Sequence, residues 1–251
     1  MPASDASSPG LRGARVFATT RWTLVLQAGG STSLGTTAAL AQLCKTYWYP
    51  LYSFVRRGRL SPHDAEDLIQ SFFAFLLEKN VFAKADPARG RFRTFLLSAL
   101  QNFQSNERAR AQSQKRGGGQ AIISIDEADA EARFQNEPAT NLTPERLYDQ
   151  KWAASLLNQV LQTLRQEYAA ARKGPLFDEI SVLLWGGRAE AGYEEIGRKL
   201  GMTEGAVKVA VHRLRLRYKE CLREEVAHTV ASPGEIEDEL RYLLASLDPV
   251  K

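Results

Sequence analysis

The sequence predicts an all-α protein: two small helical domains joined by a flexible acidic linker, the C-terminal one containing a helix-turn-helix. Apolar residues recur at three- and four-residue spacing along most of the chain, as in amphipathic helices. No stretch shows the two-residue alternation of a half-buried strand. Three glycines at 117–119, followed by a stretch rich in Asp and Glu, interrupt the helical pattern. The predicted divisions are a disordered N-terminus (1–18), an N-terminal helical domain (19–116), a flexible linker (117–143), a C-terminal helical domain (144–228) and a helical extension (229–251).

Composition excludes several classes of protein. No apolar run reaches the length of a membrane-spanning helix, and residues 1–15 lack the apolar core of a secretion signal, so a cytoplasmic protein is expected. Cys44 and Cys221 are far apart, which favours reduced thiols over a disulfide or a zinc site. The acids at 64–67 belong to the first turn of a helix, and the three histidines are scattered. The sequence therefore predicts no active site, no metal and no cofactor, and the protein is not expected to be an enzyme.

The N-terminal domain begins with a short predicted helix at 19–28 and a longer one at 36–57, which Pro50 is expected to kink. Ser61-Pro62 then predicts a third helix, with Ser as the N-cap and Pro in the first turn. Its buried stripe comprises Ala65, Leu68, Ile69, Phe72, Phe73 and Leu76. The opposite arc carries Glu66, Asp67 and Gln70, a polar patch that is either a solvated surface or a binding face.

The next helix, predicted over 91–116, combines a buried apolar stripe with a strong positive charge. Between 81 and 120 the sequence has eight Lys and Arg residues against Asp86 and Glu107. Basic residues next to aromatic side chains and surface amides suit single- or double-stranded nucleic acid. A soluble helix can carry the same charges without a ligand, and both interpretations stay open. The buried stripe is Phe92, Phe95, Leu96, Ala99, Leu100 and Phe103.

Residues 192–223 predict two helices joined by a glycine turn. Ile196 and Leu200 lie on one face of the first helix, and Gly201 follows where a chain leaving a helix needs positive φ. Thr203 is a suitable N-cap for the second helix, with Glu204 at its positive end. The outer face of that helix is basic, which is typical of a helix-turn-helix whose second helix enters the major groove. The expected DNA-binding residues are Thr203, Glu204, Lys208, His212, Arg213 and Arg215.

The linker and the C-terminal extension are both acidic. Helical periodicity fades from 121 to 142, and Thr143-Pro144 then predicts the start of a long helix. The extension begins with Ser232-Pro233 and has a predicted stripe of Ile236, Leu240, Leu243 and Leu244. Because it is acidic, we expect it to pack on protein instead of meeting DNA.

Three passages resemble bacterial RNA polymerase sigma factors, of the small two-domain extracytoplasmic-function type of the sigma-70 family. Residues 64–73, DAEDLIQSFF, resemble the helix that grips the polymerase clamp. Residues 86–102, from DPARGRFRTFL to Asn102, resemble the segment that melts the promoter and reads its −10 element. Residues 193–217 resemble the helix-turn-helix that reads the −35 element. The order of the passages, on either side of an acidic linker, strengthens the resemblance.

The resemblance implies a role for each set. Glu66, Asp67 and Gln70 would bind core RNA polymerase, and the helix-turn-helix residues would meet promoter DNA at −35. Asn106 and Ala109 stand where the family usually has Asp and Arg. An anti-sigma partner and a regulatory role for the extension are left open, and a stand-alone helix-turn-helix regulator is the alternative function. The residues expected to meet the −10 region are Arg91, Arg93, Asn102, Asn106, Arg108 and Arg110.

Overall fold

A computed structural model describes residues 34–79, 81, 91–113, 127–138, 140–185, 192–230 and 232–247. The predicted disordered N-terminus, the helix at 19–28 and the glycines at 117–119 lie outside these ranges. All regular elements in the described part are helical, which confirms the all-α class. The α-helices are α1 (Leu34–Arg57), α2 (Pro62–Glu78), α3 (Phe92–Ser113), α4 (Glu127–Gln135), α5 (Pro144–Ala170), α6 (Gly174–Ile180), α7 (Tyr193–Leu200), α8 (Glu204–Ala227) and α9 (Ile236–Leu247). Short 3₁₀ turns follow α6 (Ser181–Leu183) and precede α9 (Pro233–Glu235).

The predicted helix starts are met by the expected caps. The Asp64 N–H donates to the Ser61 hydroxyl at 3.1 Å, and the Arg146 N–H donates to the Thr143 hydroxyl at 3.3 Å. Each bond satisfies a backbone donor that has no partner within its helix. α1 runs through Pro50 as one helix.

α1 is the central helix of the larger core. Its residues Tyr47, Leu51 and Val55 are buried on one side, and Thr46, Tyr49 and Ser53 are buried on the other, so most of the circumference of this part of the helix is covered. The single apolar stripe expected of an amphipathic helix accounts for only part of this burial. α2 packs on one side, while α5 runs alongside and α4 also makes contact.

α5 connects two hydrophobic clusters. Its first half, with Trp152 and Leu156, lies in the larger cluster with α1, α2 and α3. Its second half, with Val160 and Leu164, lies in a smaller cluster with α6, α7 and α8. Gln159 sits between them: it accepts a hydrogen bond from Thr46 of α1 at 2.7 Å and donates to Glu225 of α8 at 2.9 Å.

The described part of the predicted linker is a docked helix. The expectation that helical structure is lost here is wrong for 127–135, which forms α4 and packs on α1. Glu131 accepts two hydrogen bonds from Arg56, at 2.9 and 2.7 Å. Glu137, just beyond α4, is paired with Arg57 at 2.7 Å and with Lys151 at 2.9 Å. The stretch is acidic in composition, but Glu131 and Glu137 face two arginines of α1 that are 75 and 80 residues away in sequence.

Acid should weaken this docking. The hydrogen bonds from Arg56 lower the pKa of Glu131 to about 2, against an ordinary 4.5. Because the folded-state pKa is depressed, the stabilisation is present above the unfolded pKa and is lost as the pH falls from about 4.5 to about 2. Glu131→Gln should cost about 2 kcal/mol at neutral pH, as expected for a charge-assisted hydrogen bond. The variant should lose less stability than the native protein between about pH 5 and about pH 3.

Urea denaturation at several pH values, followed by circular dichroism, measures this difference. Glu145→Gln, at an exposed acid in the first turn of α5, is the control. Equal pH dependence for Glu131→Gln and the native protein would contradict the assignment.

The C-terminal extension packs on protein, as expected. α9 lies against α5 and α8, and Leu243 is fully buried. Leu244, predicted in its buried stripe, is 56% exposed, so that prediction is wrong. Glu239 is buried in its place, with 1% of its surface exposed, because Arg91 and Arg93 surround its carboxylate.

Candidate nucleic-acid interface

The α7–α8 pair is held tightly by its glycine turn. Gly201 adopts the left-handed conformation, with φ at 65°, and the Thr203 hydroxyl accepts a hydrogen bond from the Ala206 N–H at 3.2 Å. A Cβ on Gly197 would lie 2.5 Å from the Met202 carbonyl oxygen, so only glycine permits this approach. Val207, Val211, Leu214 and Tyr218 of α8 are buried in the smaller cluster. The inner face of α8 is thereby fixed, and its other face is turned outwards.

The outward face of α8 carries several of the predicted DNA-binding side chains. Lys208, His212 and Arg213 are exposed. Glu204 is exposed too, and its carboxylate lies 2.6 Å from the Lys208 ammonium one turn later. This contact raises the pKa of Lys208, so the lysine keeps its charge at neutral pH.

Two apolar residues lie among these polar ones and were not predicted. Val209 is 49% exposed and Leu216 is 51% exposed. Their exposure follows from the burial of Val207 and Val211, which fixes the rotation of the helix. Hydrophobicity alone would predict that both residues are buried, because valine and leucine are usually core residues. Their exposure becomes clear only when the orientation of the helix is known. Apolar side chains on a helix in a major groove contact thymine methyl groups.

Other arginines of α8 hold the helix to its neighbours. Arg217 donates two hydrogen bonds to Glu167 of α5, at 3.1 and 2.7 Å. Arg215, a predicted DNA-binding residue, donates to the Leu183 carbonyl at 2.6 Å. A guanidinium has five N–H donors, so Arg215 retains others while it is tied to this carbonyl.

An open groove of about 760 Å³ lies beside the start of α8. Its walls come from the end of α5, the start of α6 and the first turns of α8. Val209 and Arg213 stand on the α8 side, and Glu167 and Lys173 on the other. The groove adds a concave apolar surface next to the basic face.

The middle of α3 presents a second polar face. Asn102 and Asn106 are exposed and one turn apart, and Arg108 is exposed on a different side of the helix, with Gln101 and Ser105. The side chain of Arg110 lies outside the described residues. A groove of about 300 Å³ next to this face is lined by Gln101, Gln104, Ser105 and Arg108 of α3, and by Phe54, Val55, Arg57, Gly58 and Pro144. Gln101 and Gln104 were not among the predicted site residues, although amides at this spacing provide both donors and acceptors for base edges.

Arg91 and Arg93, predicted to meet DNA, are placed differently. Arg93 is only 3% exposed, with its Nε 3.0 Å from Asp149 and another nitrogen paired with Glu239. The Nε of Arg91 lies 3.0 Å from the other Glu239 oxygen. In this arrangement Arg93 is an interior residue and Arg91 is partly covered. This placement was not predictable from local sequence patterns, because the partners of both arginines lie on α5 and α9.

The predicted polymerase-binding residues share one surface of α2. Asp67 is exposed, and Glu66 and Gln70 are half-buried beside it. The Asp67 carboxylate lies 3.6 Å from His63 Nε2, a pair in which both side chains are more than 60% exposed. The apolar residues of α2 are buried on its opposite side.

Among the described residues, no group of His, Cys, Asp and Glu is arranged to hold a metal ion. None of the described helices is both long enough and apolar enough to cross a bilayer. Comparison with known proteins finds no matching family model, no similar curated protein and no similar solved structure.

Proposed function

We propose that the protein is a sigma factor that binds core RNA polymerase and directs promoter-specific transcription initiation. The observation that carries the proposal is the pairing of two polar faces on one chain. One is the outward face of α8, on a helix pair fixed by Gly197 and Gly201. The other is the polar surface of α3, where Asn102 and Asn106 are exposed on one side and Arg108 on another. Binding to double-stranded DNA and binding to unpaired bases require different surfaces, and the faces of α8 and α3 are two separate surfaces of this kind.

In the proposed mechanism, the α7–α8 pair acts as a helix-turn-helix on the −35 element. Lys208 and Arg213 supply charge to phosphates, and His212 with Val209 meets base edges. The α3 face takes unpaired bases of the −10 element. Unstacking a base costs a few kcal/mol, and stacking with hydrogen bonding to the captured base offsets that cost. The exposed patch on α2 contacts the polymerase.

Run-off transcription tests the proposal. Purified core polymerase should start transcription on a linear genomic library only when this chain is added. Binding of the chain to DNA without any initiation would favour the alternative, a stand-alone helix-turn-helix regulator, because α8 can bind DNA without the α2 patch. Failure to bind either polymerase or DNA would reject both functions.

Charge reversal on α2 should weaken polymerase binding. Asp67→Arg should reduce the affinity for core polymerase at least about tenfold, or about 1.4 kcal/mol, because it places a cation where the partner is expected to present one. A pull-down with core polymerase measures the change, and circular dichroism checks the fold. Glu78→Arg makes the same charge change at the exposed end of the same helix and should bind normally. If the two variants bind alike, α2 is not the polymerase-binding helix.

Loss of one α8 cation should reduce the salt dependence of DNA binding. Arg213→Ala should lower the slope of log affinity against log salt by about 0.9, the value for one phosphate contact on duplex DNA. Fluorescence anisotropy with a duplex over a salt series measures this slope. Arg241→Ala removes an equally exposed charge from α9 and should leave the slope unchanged. The same slope for Arg213→Ala and the native protein would exclude Arg213 from the interface.

A further inference from the structure

The start of α3 carries a site that the chain fills with its own C-terminal helix. We define the arginine cradle as Arg91, which immediately precedes α3, Arg93 of α3 and Trp152 of α5. The Arg93 guanidinium lies 4.6 Å from the centre of the Trp152 ring and 4.1 Å from the centre of the Tyr242 ring of α9. Arg91 lies 4.6 Å from the same tyrosine ring. Both guanidinium groups are therefore covered by an aromatic ring of α9.

Glu239 fills the centre of the arginine cradle. One of its carboxylate oxygens pairs with Arg93, and the other lies 3.0 Å from Arg91 Nε. Asp149 of α5 is the other acid at the site: it lies 3.0 Å from Arg93 Nε and accepts a hydrogen bond from the Tyr242 hydroxyl at 2.5 Å. The ion pairs and ring contacts that α9 makes with the two arginines thus come from Glu239 and Tyr242.

A nucleic-acid strand offers two corresponding groups: a phosphate in place of the carboxylate and a base in place of the aromatic ring. Arginine recognises phosphate and carboxylate oxygens through the same fork of donors, and its flat face stacks on bases as it does on aromatic rings. We propose that α9 is an internal competitor: Glu239 and Tyr242 occupy a strand-binding site on α3, and a DNA strand binds there only after α9 leaves. This inference rests on the proposed function, since it takes α3 as a DNA-binding helix.

The attachment of α9 suits a removable element. The helix has 12 residues, too short to be stable alone in water, so it depends on docking. Leu243 is its one fully buried apolar side chain in the described structure; Ile236, Leu240 and Leu247 are partly buried against the larger cluster, and Leu244 and Tyr242 are exposed. The ion pairs add little net attachment, because removing charges from water offsets most of their attraction. Burial also raises the pKa of Glu239 despite the two arginines, because removal from water disfavours the charged carboxylate.

Arg91 and Arg93 would not become equally available to DNA when α9 leaves. Asp149 belongs to α5 and stays beside Arg93 when α9 leaves. Arg91 has no such second acid among the described contacts, so it would become available first. The expected gain is therefore one to two phosphate contacts.

Two matched charge reversals on α9 test the competition. Glu239→Arg places a cation between Arg91 and Arg93 and should displace the helix. Asp238→Arg makes the same charge change one residue earlier, at an exposed position paired only locally with Arg241. Each full-length protein is titrated with a fluorescein-labelled single-stranded DNA oligonucleotide of mixed sequence over a salt series. Relative to Asp238→Arg, Glu239→Arg should bind more tightly, with a salt slope steeper by about 0.7 to 1.4, the value for one to two contacts on single strands.

Hydrogen exchange of the native chain provides a measurement that needs no substitution. Amides of 236–247 should lose protection when the oligonucleotide binds, while those of α1 keep theirs. The proposal is overturned if the two variants bind DNA alike, or if α9 stays protected in the native complex. This outcome is separable from that of the proposed function. If Glu239→Arg binds DNA more tightly but the chain supports no transcription, the competition stands and the sigma-factor function is rejected. If the chain supports transcription but the two variants bind DNA alike, the sigma-factor function stands and the competition is rejected.

Discussion

Trp152→Ala should lower the free energy of unfolding by about 3–5 kcal/mol, the cost of truncating a large buried aromatic residue. Trp152 is fully buried where α5 meets the larger cluster, and its ring supports the Arg93 guanidinium. Its indole N–H has no acceptor among the described residues. The loss therefore comes from packing and from the cation–π contact, with no hydrogen bond to a neighbour involved.

Trp185→Ala is the matched control. This tryptophan is 58% exposed and meets Tyr218 edge to face, with ring centres 5.1 Å apart. Its removal should cost about 1 kcal/mol or less. Urea denaturation of both variants, followed by circular dichroism, compares the two values. Similar losses at the two positions would show that Trp152 is not a central support of the core.

Gly197→Ala should both destabilise the α7–α8 pair and reduce DNA affinity. The new methyl group would lie 2.5 Å from the Met202 carbonyl oxygen, which is backbone and cannot rotate away. α7 must then move off the turn, and the start of α8 must shift with it. Such overpacking costs about 1–3 kcal/mol, more than the gain of up to about 1 kcal/mol from replacing a helical glycine.

Gly205→Ala separates steric conflict from helix propensity. Nothing lies within 4 Å of the position of its Cβ, so this substitution should leave stability unchanged or raise it by up to about 1 kcal/mol. Urea denaturation gives both stabilities, and anisotropy with duplex DNA gives the affinity of Gly197→Ala. A Gly197→Ala protein as stable and as tightly binding as the native one would mean that the turn tolerates a wider separation of the helices.

Local features of the structure were predictable because their causes are local. Ser61, Thr143 and Thr203 cap helices through bonds to residues three positions later, and Gly201 supplies the positive φ that the turn needs. The buried stripe of α2 follows from spacing alone. These signals operate within a few residues, so a single sequence contains them.

Features that depend on distant partners were not predictable. The sequence pattern predicted a linker where α4 forms. The helix is stabilised by the contact of Glu131 with Arg56, which lies 75 residues away in the sequence. The burial of Glu239 was not predictable for the same reason, since the arginines that surround it, Arg91 and Arg93, lie at the start of α3. The exposed face of α8 was predicted in part, but Val209 and Leu216 were missed because their exposure depends on how the helix is rotated against α5 and α7.

The sharing of α5 between both clusters affects how the chain melts. A helix of 27 residues is about 40 Å long, and its two halves cannot lose their partners independently without breaking it. Heating should therefore produce a single calorimetric peak, with the van't Hoff enthalpy close to the calorimetric one. A proteolytic nick in the middle of α5 would divide the main structural support of both cores, so neither fragment would keep its fold.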